Sequence, residues 1–380
     1  MSQEVAFMLK SFGQHTVRLA IVAYLLFSTA ILQAQTQTPP SSQTETANGN
    51  QEAAKGPSQG ALTPASIASA TQSEMEHAAL THLIESIEPY FKKKEIKGTA
   101  TLTGSTTMLA LGKSWSDRFR KFHPEVAFTR GVDGSEAALK ALSEDPSVIA
   151  GVSRPLTDED TAMLKKGKCK DPLAIIVALD PLALYVHKDN PIAGITPQQL
   201  ESIFHAPGGP NKHAALWGDV GVAGEIATKP VRIHSRSETS GTTTFIKQMI
   251  LQNGEMAKES QSHRTNEEVC KAIGGDLQGV GICGFGEVTS DVKAVPLVLN
   301  GARIPATEQA FLSGQYPFVR PLLLVIDKSQ LASDGGLREA VLRYILSRDG
   351  QLEAVRAGFF PLDPAFIRQE LDQISGPQMR

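Results

Sequence analysis

Beyond residue 97 the chain repeats one rhythm. Short runs of adjacent β-branched and apolar residues, "TATLTG", "EVAFTRG" and "VIAGVS", alternate with stretches whose apolar residues return every three or four positions, "TMLALGKSWSDRFRKF" and "EAALKAL". The first kind suits strands and the second amphipathic helices. Their alternation predicts βαβ units and a mostly parallel sheet covered by helices, an α/β fold. The run "PLAIIVALDPLALYVHKD" at 172–189 is longer than an ordinary strand and has Pro181 in its middle, so it is read as a connector from one lobe to another. A second set follows: "TPQQLESIF" as helix, "VRIHS" as strand, "TTTFIKQMILQ" as helix, "GVGICGF" and "VKAVPLVL" as strands. The apolar strand "YPFVRPLLLVID" then leads into "GLREAVLRYILSRDGQLEAVRAGF", read as two helices. Two long connectors bracketing the second set predict that the chain crosses over and returns, leaving a cleft between two lobes.

The pattern before residue 97 is different. Residues 19–32, "LAIVAYLLFSTAIL", are an uncharged apolar run preceded by Lys10, His15 and Arg18. That length is short for a membrane span and suits the h-region of an export signal, with cleavage after Ala34; an uncleaved anchor stays open. No Cys follows the run to carry a lipid. Residues 35–73 are Gln, Thr, Ser, Pro, Ala and Gly with almost no large apolar side chain, the composition of a disordered tether. At 74–94, Leu80, Leu83, Ile84 and Ile87 predict an amphipathic helix leading into the first lobe.

Composition narrows the function classes. The chain has 380 residues, enough for two cores, and 37 Lys and Arg against 40 Asp and Glu, a formal net charge of -3. With no clustered basic face beyond Lys92 to Lys94, nucleic acid is not an expected partner. Three cysteines, Cys169, Cys270 and Cys283, allow one disulfide at most; a Cys270 to Cys283 bridge and buried free thiols are both open. The nine His show no paired ligand spacing, so no metal is expected.

The candidate chemistry lies at three strand ends, each followed by Gly, hydroxyl side chains and a helix: Gly104-Ser105-Thr106-Thr107, Gly134-Ser135 and Ser240-Gly241-Thr242. Helix N-termini offer unpaired N–H groups and the positive end of the peptide dipole, so together they predict an anion site. Each alone reads as an ordinary cap. Arg236 and Arg154 follow strand-like runs, and Arg suits two-point contact with tetrahedral oxyanions. Glu238, two residues after Arg236, is placed to hold that guanidinium. "LGKSW" lacks the glycine of a P-loop, and Ser237 and Ser240 have no evident base. His234 beside Ser235 is a weak candidate base, since strand neighbours point to opposite faces.

In order, "GSTT", "GVDGSEAAL", "GVSRPLTDED", "LDPLALYVHKDNPIAGITPQQLESIF", "RSETSGTTTF", "YPFVRPL" and "SRDGQLEAVRAGFFPL" resemble the periplasmic phosphate-binding protein family, the capture component of high-affinity phosphate ABC transporters, from about residue 98 to 362. The resemblance implies a type II two-lobe periplasmic-binding-protein-like fold, each lobe a mostly parallel sheet with flanking helices, joined by two crossing strands. Its expected layout is 1–34 signal peptide or anchor, 35–73 linker, 95–178 with 318–380 as lobe I, and 179–317 as lobe II. The ligand-binding set it implies is Ser105, Thr106, Thr107, Ser135, Ser153, Arg154, Arg236, Ser240, Gly241 and Thr242, with no cofactor and no catalysis. Expected partners are inorganic phosphate and ABC permease subunits, around a monomer that is periplasmic or secreted. Some members carry an Asp in the loop matching "GVSRPL" that accepts the proton left on phosphate. Ser153 and Arg154 stand there here, Asp133 is the nearest replacement, and Glu136-Ala137 replaces a frequent Gly after the second loop. Selectivity is therefore open. Another tetrahedral oxyanion such as sulfate or molybdate is the alternative ligand, a phosphate-ester hydrolase or a scaffold with a vestigial cleft the alternative classes.

Overall fold

The computed structural model describes residues 80–375 except 132–133, 208–212, 253 and 288, so the expected signal and tether lie outside the described residues. The first βαβ set forms as the patterning predicts. Strand β1 (Gly98–Gly104) leads through a short 3₁₀ turn into α1 (Leu109–Phe122), which buries Leu111, Trp115 and Phe119, one stripe at successive turns. Strand β2 (Val126–Thr129), helix α2 (Ser135–Glu144), strand β3 (Ile149–Val152) and helix α3 (Asp158–Lys166) follow. Helix α3 opens on a capping box in which the Thr157 and Asp160 side chains serve each other's backbone N–H. Both β2 and β3 pair parallel with β1.

The apolar run at 172–189 is a single 16-residue strand, β4 (Pro172–His187). Beyond it lie α4 (Pro197–Phe204), β5 (Arg232–Arg236), α5 (Gly241–Phe245), β6 (Gln261–His263), α6 (Asn266–Gly274) and β7 (Gly279–Gly284). Then come β8 (Val292–Ala294), β9 (Leu297–Leu299), β10 (Ala302–Ile304) and α7 (Glu308–Leu312). The chain returns in β11 (Val319–Asp327) and ends in α8 (Leu337–Ile345), α9 (Arg348–Arg356) and α10 (Pro364–Ser375). The main sheet runs β2-β1-β3-β11-β4-β7-β5-β6, with β8 also paired to β4. The two antiparallel central strands, β4 and β11, thus join a parallel set on one side (β1, β2, β3) to a parallel set on the other (β5, β6, β7).

Pro181 stands where β4 changes partners. Residues 172–181 pair with β11, and residues 182–186 pair with β7. A proline has no N–H for a ladder, so this seam is where a long strand tolerates one. The two lobes share one continuous buried core, and among the described residues no helix is long and apolar enough to cross a membrane.

Three local expectations are revised, and one helix is added. The helix expected over 74–94 ends after residue 85, because Pro89 disfavours helix in the residue before it and the segment is tied instead to α9: Arg348 N–H donates to the Glu88 carbonyl and Tyr90 N–H to Asp349. "VKAVPLVL" is two strands, β8 and β9, interrupted at Pro296. The helix expected over 242–252 narrows to α5 followed by a wider i→i+5 turn, Ile246–Ile250. Helix α10 was not anticipated from the pattern; it buries Ile367, Glu370 and Ile374.

Glu370 is only 4% exposed. Burial pushes its carboxyl up to about 8, with the Ile176 N–H pulling it back. Between the ordinary 4.5 and about 8 the folded chain therefore holds a proton that the unfolded chain has lost. Stability should fall as pH rises through that window, by on the order of 1.4 kcal/mol per unit. Denaturant titrations across the window should show this slope, and Glu370→Gln should flatten it; an unchanged slope in the variant assigns the pH dependence to another group.

Candidate functional site

The ends of β1 and β3 are held in contact by glycine. Gly104 has φ +145° and a Cβ there would sit 2.1 Å from the Gly151 carbonyl oxygen, so a side chain would push the two strands apart. This close approach brings the loops after them together. The Ser105 hydroxyl accepts the Thr107 N–H (3.2 Å), capping the 3₁₀ turn, and donates to the Ser153 hydroxyl at 2.8 Å. Ser135, the first residue of α2, accepts the Ser153 N–H at 3.3 Å. Ser105, Ser135 and Ser153 are all buried.

Arg236 enters from the end of β5 on the other lobe. Its guanidinium donates to the Thr106 hydroxyl (2.6 Å), the Asn266 side-chain oxygen (3.0 Å) and the His263 carbonyl (3.3 Å). The first of these bonds spans the two lobes. The Thr243 hydroxyl donates to the Arg236 carbonyl, and Ser240 caps α5 by accepting the Thr243 N–H, so the loop 236–243 is bound to itself.

A second arginine completes the cluster. Arg320 and Asp180 are direct partners in the β4–β11 ladder and both are 1% exposed. Arg320 gives Nε and Nη2 to one Asp180 oxygen at 2.8 and 2.7 Å, and Nη2 also reaches the Thr107 hydroxyl at 3.2 Å. Burial raises the Asp180 carboxyl, while the guanidinium groups of Arg320 and Arg236 pull it down. Among the described residues, both guanidiniums act on the one buried Asp180 carboxylate.

Gly241 closes the arrangement. A Cβ on it would lie 2.0 Å from the Ser153 hydroxyl and 3.1 Å from Arg320 Nη1, so α5 begins in direct contact with the opposite lobe. Among the described residues, Arg320 Nη1 and the Thr242 hydroxyl are buried there without a hydrogen-bond partner. Buried donors left unpaired in a basic cluster of hydroxyls are groups an anion would satisfy. A cavity of only about 10 Å³ adjoins Ser153 and Arg320.

A family profile described as the PBP superfamily domain matches residues 91–349. The phosphate-binding protein PstS of Pseudomonas aeruginosa is 31% identical over 297 residues, covering 77% of this chain and 92% of that protein. The chain belongs to the periplasmic phosphate-binding protein family. Protein SphX of Synechococcus elongatus is 26% identical over 282 residues, covering 73% of this chain and 81% of its own length. Among solved structures, a Clostridium perfringens protein described as a phosphate ABC transporter substrate-binding protein with bound phosphate is 23% identical with TM-score 0.56, covering 70% of this chain and 100% of that one. It shares the two-lobe, type II fold.

Of the ten expected site residues, Ser105, Thr106, Thr107, Ser135, Ser153, Arg236 and Gly241 are brought together by these contacts, and Ser240 and Thr242 flank Gly241 at the start of α5. Arg154 does not turn into this cluster. Its guanidinium is given to Asp160 and the Pro155 carbonyl, because the α3 capping box sets a carboxylate beside it. Burial would raise that carboxyl, but the hydrogen bonds of Arg154 and the Thr157 N–H outweigh it and hold Asp160 below the usual range. Glu238 is exposed and pairs with Lys247, not with Arg236; Asn266 and the His263 carbonyl orient that arginine instead. His234 faces His263 and Asp276 rather than Ser235. Asp133 lies outside the described residues.

Arg320 and Asp180 lie outside the expected set although both sit in segments that carry the family resemblance, "YPFVRPL" and "LDPLALY". The overlooked signal was one lone charge of each sign inside the two long apolar runs. Removing one partner should leave the other charge buried and unpaired: Asp180→Ala is expected to lower unfolding free energy by about 3–5 kcal/mol, and Asp180→Leu with Arg320→Met to recover most of it. Denaturant unfolding of the single and double variants measures this, and equal losses in both would contradict the ion-pair account.

Proposed function

We propose that the chain is an exported solute-binding protein that captures inorganic phosphate between its lobes and delivers it to the permease subunits of an ABC importer. The observation that carries the reading is the meeting of two buried arginines with the helix-start hydroxyls, Arg236 with Thr106 and Arg320 with Thr107, beside buried groups left without a partner among the described residues, Arg320 Nη1 and the Thr242 hydroxyl. The ligand groups are Ser105, Thr106, Thr107, Ser135, Ser153, Arg236, Ser240, Gly241 and Thr242, with Arg320 added. Arg154 serves by fixing the Ser153 loop through Asp160. A tetrahedral anion replaces bonds within the cluster with charge-assisted ones, each contributing roughly 1.5–3 kcal/mol, enough together for micromolar or tighter affinity. Among the described residues the arrangement supplies donors and no base hydrogen-bonded to a site hydroxyl, which favours capture over hydrolysis.

Residues 95–178 with 318–380 are taken as lobe I and 179–317 as lobe II, supported by the change of partners in β4 at Pro181. The protein acts as a monomer in the periplasm, in keeping with the expected export signal, and needs no cofactor.

Calorimetry with phosphate, sulfate and arsenate, at two pH values either side of neutrality, tests the reading. Phosphate and arsenate are expected to bind, and the sulfate titration reads the selectivity; no heat with phosphate would overturn the reading. Arg320→Met should weaken binding roughly 10- to 100-fold, the value of a lost charge-assisted bond. Gly241→Ala, whose Cβ would meet the Ser153 hydroxyl at 2.0 Å, should weaken it by holding the lobes apart.

A further inference from the structure

We propose that Cys270 and Cys283 form an intrachain disulfide that fastens α6 to β7 behind the Arg236 site. Cys270 lies one helical turn beyond Asn266 on α6, and Cys283 lies on β7, which runs beside β5 and Arg236. Both side chains are fully buried and their sulfurs are 2.7 Å apart, about 0.7 Å more than a disulfide bond. The third cysteine is not a competitor. Cys169 precedes β4 on the other lobe, and burial, with Asp327 and Asp171 nearby, pushes its thiol up to about 12, so it stays protonated and inert.

The oxidant is a protein disulfide donor, and the inference rests on the exported location proposed above to supply one. One cysteine thiolate attacks the donor disulfide to give a mixed disulfide. The other then displaces the donor, which leaves as a dithiol carrying the two electrons, with the two thiol protons passing to it through solvent. Because both sulfurs are inaccessible in the folded chain, the bond closes while α6 is docking. Its consequence is local: the helix that presents Asn266 to Arg236 is anchored to the sheet four residues from that contact.

The test uses the purified full chain, refolded with a mixture of oxidised and reduced glutathione. The oxidant is then supplied by the experimenter, so a failed bond counts against the pairing and not against export. Phosphate titration of the same sample reports separately on the binding reading. After denaturation without reductant, alkylation should block one thiol, at Cys169, and reduction should release two more, with a Cys270–Cys283 peptide in the digest. Reduction should lower Tm by roughly 5–10 °C. The double variant Cys270→Ser with Cys283→Ser should melt at one temperature with or without reductant. Three reactive thiols without reductant, a bridge that includes Cys169, or a wild-type Tm unmoved by reductant would each overturn the proposal.

Discussion

The buried pair of Asp180 and Arg320 is the constraint around which the molecule is arranged. It joins the two strands that carry the chain between lobes, and it does so in register, each residue directly opposite the other. Two charges taken out of water need close mutual contact, which fixes how β4 and β11 lie against each other. The same guanidinium, held on one edge by Asp180, presents its remaining edge to Thr107 and Gly241. A feature of the architecture thereby becomes a feature of the site.

Around that pair the chain solves a packing problem with its smallest residues. Four loops can meet only if their backbones approach closely. Gly104 against Gly151 and Gly241 against Ser153 allow it, where even one methyl group would be blocked by backbone or hydroxyl atoms at 2.1 and 2.0 Å. The hydroxyls that gather there are bound in a chain, the Thr107 N–H donating to Ser105, the Ser105 hydroxyl to the Ser153 hydroxyl, and the Ser153 N–H to Ser135. Such short side chains lose little conformational freedom when ordered, so they suit a cradle that must exchange its internal bonds for those of a guest.

Much of the fold was legible in the sequence because periodicity reports burial directly: the βαβ alternation, the long strand 172–187 and the paired helices after β11 all follow from it. The three helix starts were legible for a similar reason, since Gly and hydroxyl residues at strand ends have few other uses. What resisted was pairing across distance. Whether Arg154 faces a ligand or Asp160 depends on the capping box of α3, and whether Glu238 meets Arg236 or Lys247 depends on how the loop folds back on α5. Spacing along a chain does not determine which of two carboxylates a guanidinium selects. The role of Arg320 was hidden in the opposite way, because a single charge in an apolar strand draws little attention until its partner strand is known.

Pro181 has a further effect on the way the two halves are connected. A ladder stiffens a strand only where neighbouring rungs belong to the same partner, and at this position the neighbour on one side gives out as the neighbour on the other takes over. The proline also removes an amide at that spot. The crossing strand is therefore a splice between two separately braced rods, and any swing of one half against the other that keeps both ladders intact must be taken up by the few torsions at the splice.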